Sequence, residues 1–343
     1  MNSQPLNNTI LNSSVSIDDF LDEQTEIQDD PEIELIGNSI DPRLNQLSYS
    51  SLLNLHSCPR KFQLQKLSAD IEEFESDSSK ITFAFGHVVG HGIQRSVEGA
   101  SESQVIWEMF LMWDIDIHEA NPKQNKSFWL AVMAVQKFRA MQLSGFLADY
   151  ELVYHDGKPA CELGFVINFP NGFRYRGFVD IVLRHKFTGE VLVLELKTSS
   201  ALNLNPAMYK NSAQAIGYSV VLDVLFPDLS SYKVLYLIYQ SKSYEYNPME
   251  FVKTYHQRAL WIKELLLDIE LIEMYATEDV FPMHGESCFS FYRECEYLNT
   301  CQLSTELIAK KLTQKVLDKI ASEEYSVNLT LADLIESQLS KSS

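Results

Sequence analysis

Positive charge is scarce in this chain. Its 343 residues hold 28 Lys and Arg against 47 Asp and Glu, a formal net charge of −19. That balance argues against a protein held on nucleic acid by global electrostatic attraction. Long apolar runs are also missing. None approaches the ~20 residues needed to cross a bilayer, so no membrane association is expected. The first residues lack a basic segment followed by an apolar one, so no signal peptide and a cytoplasmic location are expected. Cysteine is sparse and odd in number, five in all, which makes a poor disulfide framework.

What is present is unevenly spread. Residues 1–42 carry ten acidic residues and no Lys or Arg. Residues 1–45 therefore read as a disordered acidic tail, either solvated, binding a partner, or mimicking nucleic-acid charge. With that tail set aside, a local basic groove and bridging metal ions can still hold DNA. Hydrophobic content of 45% supports a substantial core.

From Ser48 a helix is expected to run to about Leu67. Further helices are expected near 83–98, 101–119 and 124–148. The texture then changes. Segments 160–169, 173–184 and 190–198 are apolar at strand length, with Asn171-Gly172 and Thr188-Gly189 as tight turns between them. This spells an antiparallel three-strand meander. A helix over 213–226, a strand near 232–240 and a long helix over 248–276 follow. Residues 303–343 read as two weak helices joined by a polar link.

The meander carries the chemistry. Gly177-Phe178-Val179-Asp180 lies on its second strand and Leu194-Glu195-Leu196-Lys197-Thr198 on its third. Strand alternation puts Glu195 and Lys197 on one face, and the turn brings the Asp180 strand alongside. Two carboxylates and a backbone carbonyl form a hard oxygen site suited to Mg²⁺ or Mn²⁺. Lys197 can orient a water or offset developing negative charge. Such a set suits phosphodiester hydrolysis. Glu-x-Lys alone equally suits a surface hairpin pair of little energetic weight.

Gly-x-x-Asp, a turn and then Glu-x-Lys-Thr resembles the core motif of the PD-(D/E)XK nucleases. Gln214-Ala215-Ile216-Gly217-Tyr218 is similar to the Gln-x-x-x-Tyr of the RecB-like exonuclease branch, and a helix places Gln214 and Tyr218 one turn apart. Phe85-Gly86-His87-Val88-Val89-Gly90-His91 resembles the glycine–histidine helix of that family. Its usual His position is Gly90 here, so His91 is the first choice for the metal side and His87 the second; both also suit ordinary helix positions. The resemblance implies an α/β restriction-endonuclease-like core with a central mixed sheet flanked by helices. It implies a metal held by His91, Asp180, Glu195 and the Leu196 carbonyl, with Lys197, Gln214 and Tyr218 completing the catalytic set. Glu162 matches an acidic position at the start of the meander and reads more simply as a strand-edge charge.

The remaining signal is in the cysteines. Cys58 stands in His56-Ser57-Cys58-Pro59-Arg60-Lys61, while Cys288, Cys295 and Cys301 crowd near the other end. Four thiolates suit either Zn²⁺ or an iron–sulfur cluster, and four buried free cysteines are a further reading. The arrangement resembles iron–sulfur nucleases of the RecB-like group, both AddB-type and CRISPR-adaptation nucleases, which implies a 4Fe-4S cluster in a helical cysteine-bound cap. The first late gap departs from the usual C-x2-C: six residues intervene here. Cys161 sits on a strand and reads as a small core residue.

Arg60, Lys61, Lys66, Arg174 and Arg176 are candidates for phosphate contacts or ordinary solvated charge. The organisation expected is a tail over 1–45, a nuclease domain over 46–305 closed by the cysteines, and a helical extension over 306–343. The function expected is metal-dependent DNA hydrolysis, exonucleolytic on ends or single strands, in recombination, repair or phage DNA processing. A helicase or recombination partner stays open. The alternatives are a CRISPR-adaptation-type trimming nuclease and a non-catalytic DNA-binding or scaffold subunit. Loss of Asp, Glu or Lys from the motif would mark the last, and all three are present.

Overall fold

Ser48 starts the first helix. Its side chain accepts a hydrogen bond from the Ser51 N–H, and the Ser51 side chain answers the Ser48 N–H. The helix does not reach Leu67 in one piece. Pro59 bars the preceding residue from the helical basin, and Cys58 is extended at φ −162°, ψ 105°. Two helices result, α1 (Tyr49–Ser57) and α2 (Pro59–Leu67). Both belong to a computed structural model that describes residues 32–33, 39–68, 77–113, 126–227, 232–290 and 293–341. Most of the expected acidic tail and the end of the helix expected over 101–119 lie outside the described residues. Residues 39–45, expected in that tail, are part of the fold, with Leu44 in the core.

The meander forms as expected: β3 (Cys161–Asn168), β4 (Arg174–His185) and β5 (Val191–Ser199), each antiparallel to the next. Before it come β1 (Gln46–Leu47) and β2 (Tyr150–Leu152), both paired with β4. After it, β6 (Tyr232–Gln240) runs parallel to β5, and β7 (Glu245–Lys253) returns antiparallel to β6. The result is a mixed eight-stranded sheet.

Helices cover both faces. On one, α3 (Asp77–Val97), α4 (Glu102–Met112) and α5 (Phe128–Leu143) pack Phe85, Ile93, Met109 and Phe138 against Leu183, Leu192 and Leu194. On the other, α6 (Ala213–Leu225) and α7 (Tyr255–Thr277) pack Val221, Leu222 and Trp261 with Val182, Val191 and Val193. The run Val191-Leu192-Val193-Leu194 is continuously apolar because alternate residues feed opposite cores. The α/β layering expected from the sequence is the fold observed.

Two elements differ. Residues 245–253 form a strand where a helix was expected to begin near 248. Nine consecutive register partners on β6 outweigh local helix propensity, and Pro248 is tolerated because β7 is an edge strand. The helix begins at Thr254, which caps it in a box with Gln257.

The C-terminal segment is not simply helical. β8 (Val327–Thr330) adds a parallel strand along β3, burying Val327 and Leu329. The helix α8 (Leu331–Ser340) then docks on the buried Asp223 of α6. Gln338 Nε2 donates to Asp223 Oδ2 at 2.6 Å, Lys341 pairs with the same carboxylate, and Arg258 Nε lies 3.5 Å from it. Among the described residues no helix is long and apolar enough to cross a membrane.

Candidate active site at the splayed strands

The site is made by a parting of strands. β4 and β5 pair through Arg184↔Val191 to Ile181↔Leu194, and their registered pairing ends there. Asp180 and Glu195 are the next residues on each strand. Beyond the last pair, the Leu196 N–H donates instead to Asp180 Oδ2 at 2.7 Å. β5 meanwhile stays paired with β6 as far as Ser199, so its backbone remains rigid where β4 peels away.

Glu195 is fully buried, and Lys197 Nζ lies 2.6 Å from its Oε1. That contact is off hydrogen-bond geometry, and neither Glu195 oxygen has a hydrogen-bond partner among the described residues. Burial raises the Glu195 carboxyl above the usual range, and the neighbouring Asp180 charge raises it further. Burial also raises Asp180, against the opposing pull of Lys197 and the Leu196 N–H. Lys197 is lowered by burial, but Glu195 and Asp180 outweigh this and hold it above its ordinary value. A buried carboxylate such as Glu195, ion-paired at one oxygen but without a hydrogen bond at either, is costly, and a hard cation is a partner that satisfies it.

From the other side, α6 brings Gln214 and Tyr218 to the lysine. Lys197 Nζ donates to Gln214 Oε1 at 3.2 Å, and Gln214 Nε2 donates to the Tyr218 hydroxyl at 2.6 Å. The two side chains share a helix face one turn apart, as the spacing predicts. The chain Glu195–Lys197–Gln214–Tyr218 holds the ammonium in one place.

A cleft of about 430 Å³ opens over Asp180, Leu196 and Lys197. Its far wall is α3, with Gly86, His87 and Gly90. A Cβ on Gly86 would stand 3.3 Å from the Thr198 hydroxyl oxygen, a tight contact that the glycine avoids where the helix meets the strand. His87 lines this cleft. His91, the first choice from the sequence, does not: its Nε2 lies 3.0 Å from Glu108 Oε2 on α4, a carboxylate it shares with Arg95. The carboxylate of a neighbouring helix decides which of the two histidines faces the site.

Glu162 also belongs to the cleft, although the sequence favoured a strand-edge charge. It sits opposite Asp180, between the pairs Cys161↔Ile181 and Leu163↔Val179, with a left-handed backbone at φ 46°. Its carboxyl is pushed up to about 7 by desolvation and by the Asp180 charge, although its side chain reaches solvent. Its acidic position at the start of the meander was the one available signal. Among the described residues no three His, Cys, Asp or Glu side chains are gathered as a ready-made metal cage. The donor set for a cation is two carboxylates and the Leu196 carbonyl, and the Glu195 oxygens, neither of them hydrogen-bonded among the described residues, fit it.

A second cavity lies between α2 and residues 283–301. Cys58, Cys288, Cys295 and Cys301 all line one cavity of about 80 Å³, together with Arg60, Lys61 and Tyr297. Burial raises the Cys295 thiol. The four are free thiols, and Cys161 lies apart, packed against the core under α3.

All five expected phosphate contacts are engaged within the protein: Arg174 Nη1 donates to the Ile320 carbonyl at 2.9 Å, Lys66 Nζ donates to the Gln46 carbonyl, and Arg60, Lys61 and Arg176 are held as follows. Arg60 is buried and donates to the carbonyls of Cys301 (3.2 Å) and Leu303 (2.6 Å) and to the Thr305 hydroxyl (2.8 Å). Lys61 pairs with Glu296 at 3.1 Å. Both tie α2 to the segment bearing the late cysteines. Arg176 pairs with Glu323.

Comparison with known proteins adds the following. The sequence model of the PD-(D/E)XK nuclease superfamily matches residues 46–302. No curated protein sequence matches the chain. Among solved structures, one described as "Crystal structure of SSO0001" is 15% identical, with 66% of this chain and 76% of that chain covered and a TM-score of 0.29.

Proposed function

Since this chain belongs to the PD-(D/E)XK nuclease superfamily, we propose that it is a Mg²⁺- or Mn²⁺-dependent deoxyribonuclease of the RecB-like kind, working exonucleolytically on DNA ends or single strands. One observation carries the reading: Asp180 and Glu195 meet where β4 and β5 part, with Lys197 between Glu195 and Gln214.

Asp180, Glu195 and the Leu196 carbonyl would hold the cation, with His87 on the opposite wall. When bound, a divalent cation supplies Lewis acidity to the phosphodiester and makes water more acidic. The residues do the rest. Lys197 offers a positive charge and a donor beside the attacking water or the developing phosphorane charge. Gln214 aims that ammonium, and Tyr218 fixes Gln214. Glu195 is fully buried, which keeps bulk water off that side of the site.

We further propose that the four cysteines hold a 4Fe-4S cluster, with Zn²⁺ as the competing occupant. Support comes from their shared cavity and from Arg60, which ties α2 to Cys301 beside it. Its role in this reading is structural, fastening α2 to residues 288–301. The metal-dependence of cleavage is tested by incubating end-labelled single- and double-stranded DNA with Mg²⁺, Mn²⁺ or EDTA. Stepwise shortening with either cation and none in EDTA is expected. Absence of cleavage of both substrates with both cations sinks the reading.

A further inference from the structure

β4 carries a row of side chains beyond the catalytic carboxylate. Tyr175 and Val179 are buried in the core on the α6 side. Strand alternation therefore sends Arg174, Arg176, Phe178 and Asp180 to the opposite face, about 7 Å apart from one to the next. Phe178 is 52% exposed, an unusual position for an aromatic ring in the middle of a long strand.

Two rings gather at this point. Gly164 is the register partner of Phe178. A Cβ on it would stand 3.1 Å from Phe178 Cε1 and 3.5 Å from Tyr325 Cδ1. The missing side chain relieves a tight contact with the Phe178 ring, and Tyr325 packs beside it, with centroids 6.2 Å apart and planes at 42°. Covering a strand glycine is a structural role in itself. It does not account for the half of Phe178 left open, nor for the charges arranged beside it.

Those charges are cationic. The Arg174 guanidinium carbon lies 5.8 Å from the Tyr325 ring centroid. Arg176 donates to the Tyr325 hydroxyl at 3.2 Å and pairs with Glu323, which also accepts from that hydroxyl at 2.9 Å. Two guanidinium groups thus gather at one tyrosine, with the Glu323 carboxylate beside them, in a chain whose net charge is −19. Tyr325 and Glu323 come from beyond residue 302, where the family match ends.

We propose that Phe178 and Tyr325 form a stacking shelf for an unpaired nucleobase adjoining the scissile phosphate, with Arg174 and Arg176 holding the Tyr325 ring in place beneath it. The proposal rests on the nuclease reading and extends it. Base–aromatic stacking tolerates any sequence because every base has a π-face, whereas a base paired in a duplex cannot lie on the shelf. The shelf therefore selects single strands or frayed ends. The C-terminal segment supplies this selectivity by adding β8 and its preceding tyrosine to the edge of the meander.

The test uses the full chain in EDTA and a single-stranded oligonucleotide containing 2-aminopurine, followed by anisotropy and base fluorescence. The same sequence as a duplex is the control. Phe178→Leu keeps the apolar bulk and removes the ring face. It is expected to weaken single-strand binding roughly tenfold or more and to abolish the fluorescence quench, while leaving duplex binding unchanged. Phe178→Trp is expected to restore both signals. Tyr325→Leu, which leaves Phe178 in place, is expected to weaken single-strand binding less. Single-strand binding by Phe178→Leu equal to the unmodified chain, or an equal loss for duplex, overturns the shelf. If the unmodified chain cleaves DNA in that case, the nuclease reading stands without the shelf. If it neither binds nor cleaves nucleic acid, the nuclease reading falls first.

Discussion

The Leu196 N–H donates to Asp180 Oδ2 across 2.7 Å, at the point where the ladder between their strands has just ended. One backbone donor thereby fixes the carboxylate of one strand against the chain of the other. The second carboxylate, Glu195, is the residue immediately before that donor. The β4–β5 ladder brings the two acids side by side, and this hydrogen bond fixes them where the ladder ends.

Catalysis is the first prediction. Asp180→Ala, Glu195→Ala and Lys197→Ala are each expected to reduce cleavage by about two orders of magnitude or more, as removal of transition-state charge stabilisation does. Metal-free stability of the Asp180 and Glu195 variants is expected to hold, because removing one of two crowded carboxylates relieves burial and repulsion. Purified Asp180→Ala with full activity refutes the assignment.

Gln214 acts at one remove. It accepts from Lys197 and donates to Tyr218, so Gln214→Ala leaves the ammonium unaimed. A lost hydrogen bond to a charged group amounts to ~1.5–3 kcal/mol, so kcat is expected to drop roughly ten- to hundredfold with KM little changed. Tyr218→Phe is expected to have a smaller effect. Steady-state kinetics check both, and an unchanged kcat for Gln214→Ala removes it from the mechanism.

The cysteine cavity makes a prediction visible by eye. Protein purified without oxygen is expected to be brown, with about four irons per chain, as a 4Fe-4S cluster requires. Cys295→Ala is expected to bleach it and lower the melting temperature, while Cys161→Ala keeps the colour. Arg60→Ala is expected to lower stability by about 2 kcal/mol or more, from the lost bonds to Cys301, Leu303 and Thr305, without weakening DNA binding. Colourless protein with one zinc replaces the cluster by a zinc site.

Asp223 anchors the C-terminal helix. Asp223→Ala leaves Arg258 buried without its carboxylate and removes the contacts that Gln338 and Lys341 make to it. Breaking a buried pair from one side costs about 3–5 kcal/mol. Urea melts should show a loss of this size, with early proteolysis near 331–341. A change under about 1 kcal/mol would show that the pair contributes little net stability.

His56 predicts a pH dependence. Its hydrogen bond to Asp268 raises the imidazole above its ordinary value of 6.5, against the opposing effect of burial, with the charges of Asp268 and Glu264 adding to the rise. A raised folded-state value means that the pair's stabilisation is complete below pH 6.5 and fades as pH rises through the raised value. Because the ring is half exposed, the effect is expected to be small. His56→Gln should flatten that part of the stability curve between pH 6 and 8; an unchanged curve rejects the contribution.

The meander was legible because its signals are local. Asn171-Gly172 and Thr188-Gly189 are turns in any context, and the apolar runs between them have strand length. Glu195, Lys197, Gln214 and Tyr218 were readable for the same reason: their spacing alone fixes which share a face. What local spacing could not resolve were choices made by distant partners. β7 became a strand because β6 offered it an open edge, and β8 because β3 offered the other.

The sequence by itself determined the alternation that sends Arg176, Phe178 and Asp180 to one face, the break at Cys58-Pro59 and the identity of the chemical groups. Only the tertiary structure decided that His87 faces the cleft while Glu108 takes His91, and that Glu162 joins the carboxylates. It also decided that Arg60 and Lys61 tie α2 to the segment bearing the late cysteines. Strand register placed Glu162 opposite Asp180; for His91, Arg60 and Lys61 the physical reason is a shared one. A charged side chain settles where an opposite charge or an open carbonyl meets it, and those partners lie on other helices and strands that no local pattern locates.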